Sequence, residues 1–155
     1  MKWINFIFAI CLLLILIANY LKIVENGIFI GLITGSLTFY IGMFQQRLND
    51  DKIFKDLFQS FNSRYDTYND LINTCSRDSS KSLSDKEENL IIDYLNMCAE
   101  EYLWYKRDRI PSQVWRSWRK GILSNIDIPQ IHEIYMRERR QKDSYYGLFE
   151  DLERK

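Results

Sequence analysis

The sequence predicts an all-α protein: an N-terminal two-helix transmembrane hairpin followed by a small cytoplasmic helical domain. Three observations predict it. The first 46 residues hold two charge-free apolar stretches, Trp3–Leu21 of 19 residues and Asn26–Gln46 of 21. Only Lys22-Ile23-Val24-Glu25 separates them. From Asp51 onward, apolar residues recur mostly at gaps of three and four, and no convincing period-two run appears.

An α-helix rises ~1.5 Å per residue, so each stretch is long enough for the ~30 Å hydrocarbon core of a bilayer. The expected hairpin occupies residues 1–46, with helices at about 3–21 and 27–46. The helical domain is expected over 47–155. Met1-Lys2 before an apolar run resembles the start of a signal peptide. Ile15–Tyr20 has no small-x-small cleavage site, however, and a second apolar stretch follows at once. Both helices are therefore expected to be retained. Lys2 precedes the first helix, and Arg47, Lys52 and Lys55 follow the second, whereas Glu25 offsets Lys22 in the turn. That bias places both termini in the cytoplasm and the turn outside.

Gly27, Gly31 and Gly35 are spaced four apart on one face of the second helix, with Gly42 on nearly the same face. Small residues at this spacing let helices approach closely in lipid, where packing drives association. The face either packs on the first helix of the same chain or packs between copies and drives oligomerisation; the two are compatible. Asn5 and Asn19 sit near opposite ends of the first helix. No Asp, Glu, Lys, Arg or His falls at mid-membrane depth. An ion-coupled carrier would be expected to place one there, so carrier function is rejected.

The apolar series from Ile53 to Cys75 predicts an amphipathic helix, either separate from or continuous with the second membrane helix. It fits a core inside the chain or a coiled-coil seam between copies. Ser76–Ser84 reads as a loop. Ser84 with Glu87 is a capping-box signature for a helix running to about Arg107. Asp108-Arg109-Ile110-Pro111 ends that helix. A short helix is expected over Ser112–Lys120, stopped by Gly121. Pro129 opens another, and a last helical segment follows Tyr145-Tyr146-Gly147.

Lys+Arg and Asp+Glu each total 21, and from Arg47 onward the count is 19 positive against 20 negative. That balance argues against a dedicated nucleic-acid binder. Cys11, Cys75 and Cys98 make no disulfide framework. There is no phosphate loop, nucleophile elbow, repeated Glu-x-x-His or zinc-ligand spacing. Adjacent Glu100 and Glu101 point to different sides of their helix, and the lone His132 reads as structural or solvated. No enzyme activity, catalytic residue, metal, cofactor or small-molecule substrate is expected.

Trp115-Arg116-Ser117-Trp118-Arg119-Lys120 interleaves aromatic and basic residues. Such a segment can stack on single-stranded nucleic acid or lie at a membrane interface. Alternatively, Trp115 and Trp118, three apart, face the core and leave the cations solvated. Arg137, Arg139, Arg140 and Lys142 form a second cluster, diluted by Glu138 and Asp143. It reads as a solvated face or as a site for an anionic partner surface.

One stretch carries a resemblance: Ile91-Ile92-Asp93-Tyr94-Leu95-Asn96-Met97-Cys98-Ala99-Glu100-Glu101-Tyr102, then Ile110-Pro111, Val114-Trp115, Trp118, Gly121 and Ser144-Tyr145-Tyr146-Gly147. Over residues 53–149 this resembles a set of small bacterial helical proteins that share such a helix and a paired-tryptophan helix. Proteins of this general design, with a two-helix anchor, include transmembrane effectors of antiphage systems, retrons among them. The resemblance implies an inner-membrane effector that oligomerises and perturbs the membrane. It also implies a restraining partner, a reverse transcriptase with its RNA–DNA product. The alternative is a membrane-anchored scaffold whose helical domain docks a partner protein.

Overall fold

The computed structural model describes residues 2–141 and 144–154. Most of those residues are helical, with no strand among them. The elements are α1 Lys2–Tyr20, α2 Asn26–Arg77, α3 Asp85–Lys106, α4 Ser112–Ile126, α5 Pro129–Glu138, a 3₁₀ turn Tyr145–Gly147 and α6 Leu148–Leu152. The chain divides into two compact units, Met1–Lys52 and Ile53–Lys155. The boundary falls inside α2 and not at residue 46. No Gly or Pro interrupts Arg47–Lys52, so nothing local ends the helix there. The expected second membrane helix and the Ile53–Cys75 helix are thus one element of 52 residues.

In the first unit, α1 and the opening half of α2 form a hairpin. Both are long and apolar enough to cross a membrane. The turn closes α1 with a Schellman pair: Ile23 N–H donates to the Ala18 carbonyl at 2.9 Å and Lys22 N–H to that of Asn19 at 3.0 Å. Lys22 takes the left-handed position at φ 54°, where glycine is usual, at a cost of ~1–2 kcal/mol. The least exposed residues of α1 are Phe8, Leu12, Ile15, Ala18 and Asn19; those of the facing part of α2 are Phe29, Ile33, Ser36 and Tyr40. The spacing of three and four in both sets defines the contact stripe.

The second unit is built around α3. Ile91, Tyr94, Leu95, Met97, Cys98, Ala99 and Tyr102 are all buried. This helix packs against α4, α5, α6 and the 3₁₀ turn. From the Ile53–Arg77 part of α2, Phe61, Tyr68 and Ile72 join the same core, and Cys75 is also buried. Its start is the expected capping box: Ser84 Oγ accepts from Glu87 N–H at 3.4 Å while Glu87 Oε2 accepts from Ser84 N–H at 2.9 Å. Lys81, then Ser84, hold the Glu87 carboxyl down at about 2. A second Schellman pair ends α3, with Asp108 at φ 56°.

Gly121 does not stop α4, which continues to Ile126. Ile122 and Ile126 extend the buried stripe begun at Trp115. Burying two isoleucines outweighs the ~1 kcal/mol that glycine costs in a helix. Tyr145, Tyr146 and Gly147 have φ of 61°, 53° and 84°, three consecutive left-handed residues. Tertiary contacts hold this turn: Tyr145 stacks on Phe149 at 4.4 Å and donates to buried Glu138 at 2.8 Å.

Candidate functional site

The first candidate is the glycine face of α2. Successive helical residues are ~100° apart, so the stripe Phe29, Ile33, Ser36, Tyr40 and the stripe Gly27, Gly31, Gly35, Gly42 lie on faces about 180° apart. The first stripe meets α1: the Phe8 and Tyr40 rings stack at 4.2 Å, and Tyr40 donates to Asn5 Oδ1 at 3.2 Å. A Cβ added at Gly27, Gly31, Gly35 or Gly42 meets nothing within 4 Å. The reading in which these glycines pack on α1 is therefore overturned. The bulky Tyr40 and Phe8 rings took that contact, and the glycines were left outside. Around them α2 exposes Ile28, Ile30, Leu32 and Phe39, the last at 70%.

The two basic clusters are used differently from each other. Trp115 is 3% exposed and packs between Tyr102 and Tyr105, with ring centroids 5.3 Å from each. Trp118 stacks on Phe58 at 5.8 Å and meets the edge of Phe61 at 5.9 Å. Trp115 is thus a core residue, and Trp118 is half-buried against the same core. Arg119 is drawn inward as well. One of its nitrogens donates to the carbonyls of Asp151, Leu152 and Arg154 at 2.9, 3.0 and 2.7 Å, closing the orphan end of α6. Its Nε lies 3.4 Å from Asp151 Oδ2, an ion-pair contact without hydrogen-bond geometry. Arg116 and Lys120 are exposed.

In the second cluster, Arg137 pairs with Glu88 at 2.8 Å and Arg139 with Glu153 at 2.6 Å; Arg140 is exposed. Lys142 and Asp143 lie outside the described residues. Exposed pairs such as these contribute little to stability, but they neutralise the cations locally.

A third feature escaped the sequence reading. A cavity of about 200 Å³ opens in the helical domain between Phe61 and Tyr65 of α2, Tyr94, Cys98 and Glu101 of α3, and Trp118, Gly121 and Asn125 of α4. Asn125 Nδ2 donates to the Tyr94 hydroxyl at 2.9 Å and lies 3.4 Å from that of Tyr65. Glu101 is 6% exposed. Burial pushes its carboxyl up to about 8; Arg64 opposes the shift and Glu100 adds to it. The Arg64 guanidinium is committed to Glu100, with contacts of 2.5 and 3.3 Å to the two carboxylate oxygens. Burial also raises the Cys98 thiol well above its ordinary value. Glu138, the other buried carboxylate, contrasts with Glu101: it accepts from Tyr145 Oη and Gln141 Nε2, both at 2.8 Å.

The sequence did carry a signal for Glu101. It stands at i+7 from Tyr94 and i+3 from Cys98, inside the apolar stripe of α3. An acidic residue in such a stripe marks a buried carboxyl group. His132 is exposed, and no group of three His, Cys, Asp or Glu among the described residues is placed to hold a metal ion.

No protein-family description, curated protein or solved structure matches this chain.

Proposed function

We propose that this chain is an inner-membrane effector of bacterial antiphage defence, which self-associates through α2 and breaches the bilayer. The outward glycine face carries this reading. Gly27, Gly31 and Gly35 have no partner from α1, and a small-residue face at this spacing supports close approach of a second helix in lipid. The apolar side chains around it, exposed on both helices, need lipid or another copy to cover them. Lys/Arg bias at the helix ends supports cytoplasmic termini. The helical domain binds a restraining partner. The defence role and the identity of that partner, a reverse transcriptase with its RNA–DNA product, are supported by the motif resemblance alone.

The test is membrane potential in bacteria after induction of the full chain, of a version lacking residues 1–46, and of Gly31→Leu. A leucine at position 31 does not disturb the hairpin, because its Cβ has open space. Depolarisation by the full chain, lost in both variants, is the expected result. If Gly31→Leu depolarises as the parent does, the glycine face is not the mechanism. If the inserted full chain leaves the potential unchanged, during phage infection as well, the membrane-anchored scaffold reading replaces the effector.

A further inference from the structure

The cavity beside Glu101 is built from unusual materials for a structural void. Four aromatic residues line it, Phe61 and Tyr65 from α2, Tyr94 from α3 and Trp118 from α4, beside polar Asn62, Ser117 and Asn125. A carboxyl group sits among them, 94% removed from solvent as a residue. An apolar void left by imperfect packing has no reason to hold a carboxyl group, since burying one is costly without a partner. The obvious internal partner is engaged elsewhere, because Arg64 forks onto Glu100. Aromatic faces carry negative quadrupoles, and they attract cations, most strongly where water is excluded. Aromatic walls and a carboxylate recognise the same thing.

We propose that this cavity binds a small organic cation, an alkylammonium of roughly five to eight non-hydrogen atoms. The aromatic rings enclose its methyl or methylene groups, and Glu101 provides the counter-charge. Gly121 lies on the wall, where an added Cβ meets nothing within 4 Å, so its lack of a side chain keeps the space open. The site lies wholly in the helical domain and is independent of the membrane reading.

Binding a cation requires ionised Glu101, whose carboxyl is held protonated at neutral pH by its burial. Each cation bound at pH 7 therefore expels close to one proton, and affinity rises with pH up to about 8. The titratable or charged groups around Glu101 are Arg64 and Tyr65 on α2 and Tyr94, Cys98 and Glu100 on α3. From α4 the cavity receives Ser117, Trp118, Gly121, Ile122 and Asn125, none of which titrates.

The experiment is calorimetric titration of the full chain in non-ionic detergent with tetramethylammonium chloride, against sodium chloride at equal ionic strength. It is run in phosphate and in HEPES, whose ionisation heats differ and neither of which is a small alkylammonium. The expected result is saturable binding with a Kd below ~10 mM and a buffer-dependent heat that reports proton release. Glu101→Gln keeps the shape of the side chain; it should weaken binding at least ~10-fold and abolish proton release. Gly121→Leu should block binding while circular dichroism stays unchanged. Should Gly121→Leu unfold, the Glu101→Gln result decides. Equal heats from tetramethylammonium and sodium overturn the proposal. So does unaltered binding by Glu101→Gln, or n-butanol binding as tightly as tetramethylammonium, which would make the cavity a merely apolar one.

Discussion

The Tyr40 ring lies on the Phe8 ring at 4.2 Å and 17° between planes, while its hydroxyl reaches Asn5 one turn away on α1. This pair sets the rotation of α2 about its own axis. With Tyr40 against α1, the helical repeat sends Gly31 and Gly35 to the opposite side.

Cysteine cross-linking in membranes tests that rotation. In a Cys11→Ser background, Gly31→Cys should cross-link between copies. Ile33→Cys, on the face turned to α1, should not. Equal cross-linking at both positions would mean that α2 has no preferred self-contact face.

Two glycines in the helical domain should respond to alanine with opposite signs. At Gly121 a Cβ has open space inside a regular helix, so Gly121→Ala should stabilise by ~0.5–1 kcal/mol. Gly147 has φ of 84°, a left-handed conformation that strains an L side chain, so Gly147→Ala should destabilise by ~1–2 kcal/mol. Urea unfolding followed by circular dichroism measures both. A shared sign would contradict the backbone assignment of one of them.

Glu101 makes stability depend on pH. Its carboxyl ordinarily titrates at 4.5 and here at about 8. Between those values the folded state holds a proton that the unfolded state has lost, so stability falls as pH rises through this window. The loss is on the order of 3–5 kcal/mol by pH 8. Glu101→Gln should flatten the decline and be more stable than the parent at pH 8. Parallel pH profiles for the two proteins would show that Glu101 is ionised in the fold.

Arg119 should matter as an α6 cap and not as a surface cation. Arg119→Ala removes its bonds to three carbonyls and should cost ~1–3 kcal/mol. Arg119→Lys keeps the charge but not the planar fork, and should recover only a minor part. Full recovery by lysine in thermal unfolding would show that the guanidinium geometry is not required.

Much of the architecture was legible in residue order because its causes are local. The Ser84–Glu87 box, the break at Asp108–Pro111 and the Pro129 start each act within one helical turn. Gly121 misled for the same reason. Its local preference ends a helix, but Ile122 and Ile126 are buried in the core that α4 shares with α3 and α5, and their burial carries α4 onward. Arg119 was equally opaque, since its partners stand 32 to 35 residues away.

By itself the sequence determined the all-α class, two helices long and apolar enough to span a membrane, and the amphipathic stripe that fills the helical core. These follow from hydrophobic periodicity, a property of neighbours along the chain. Only the tertiary structure decided which face of α2 meets α1, that Trp115 and Trp118 turn inward, and that a carboxyl group and four aromatic rings share one cavity. Each of these depends on which distant side chains fill the same volume, and packing settles that between helices rather than within one.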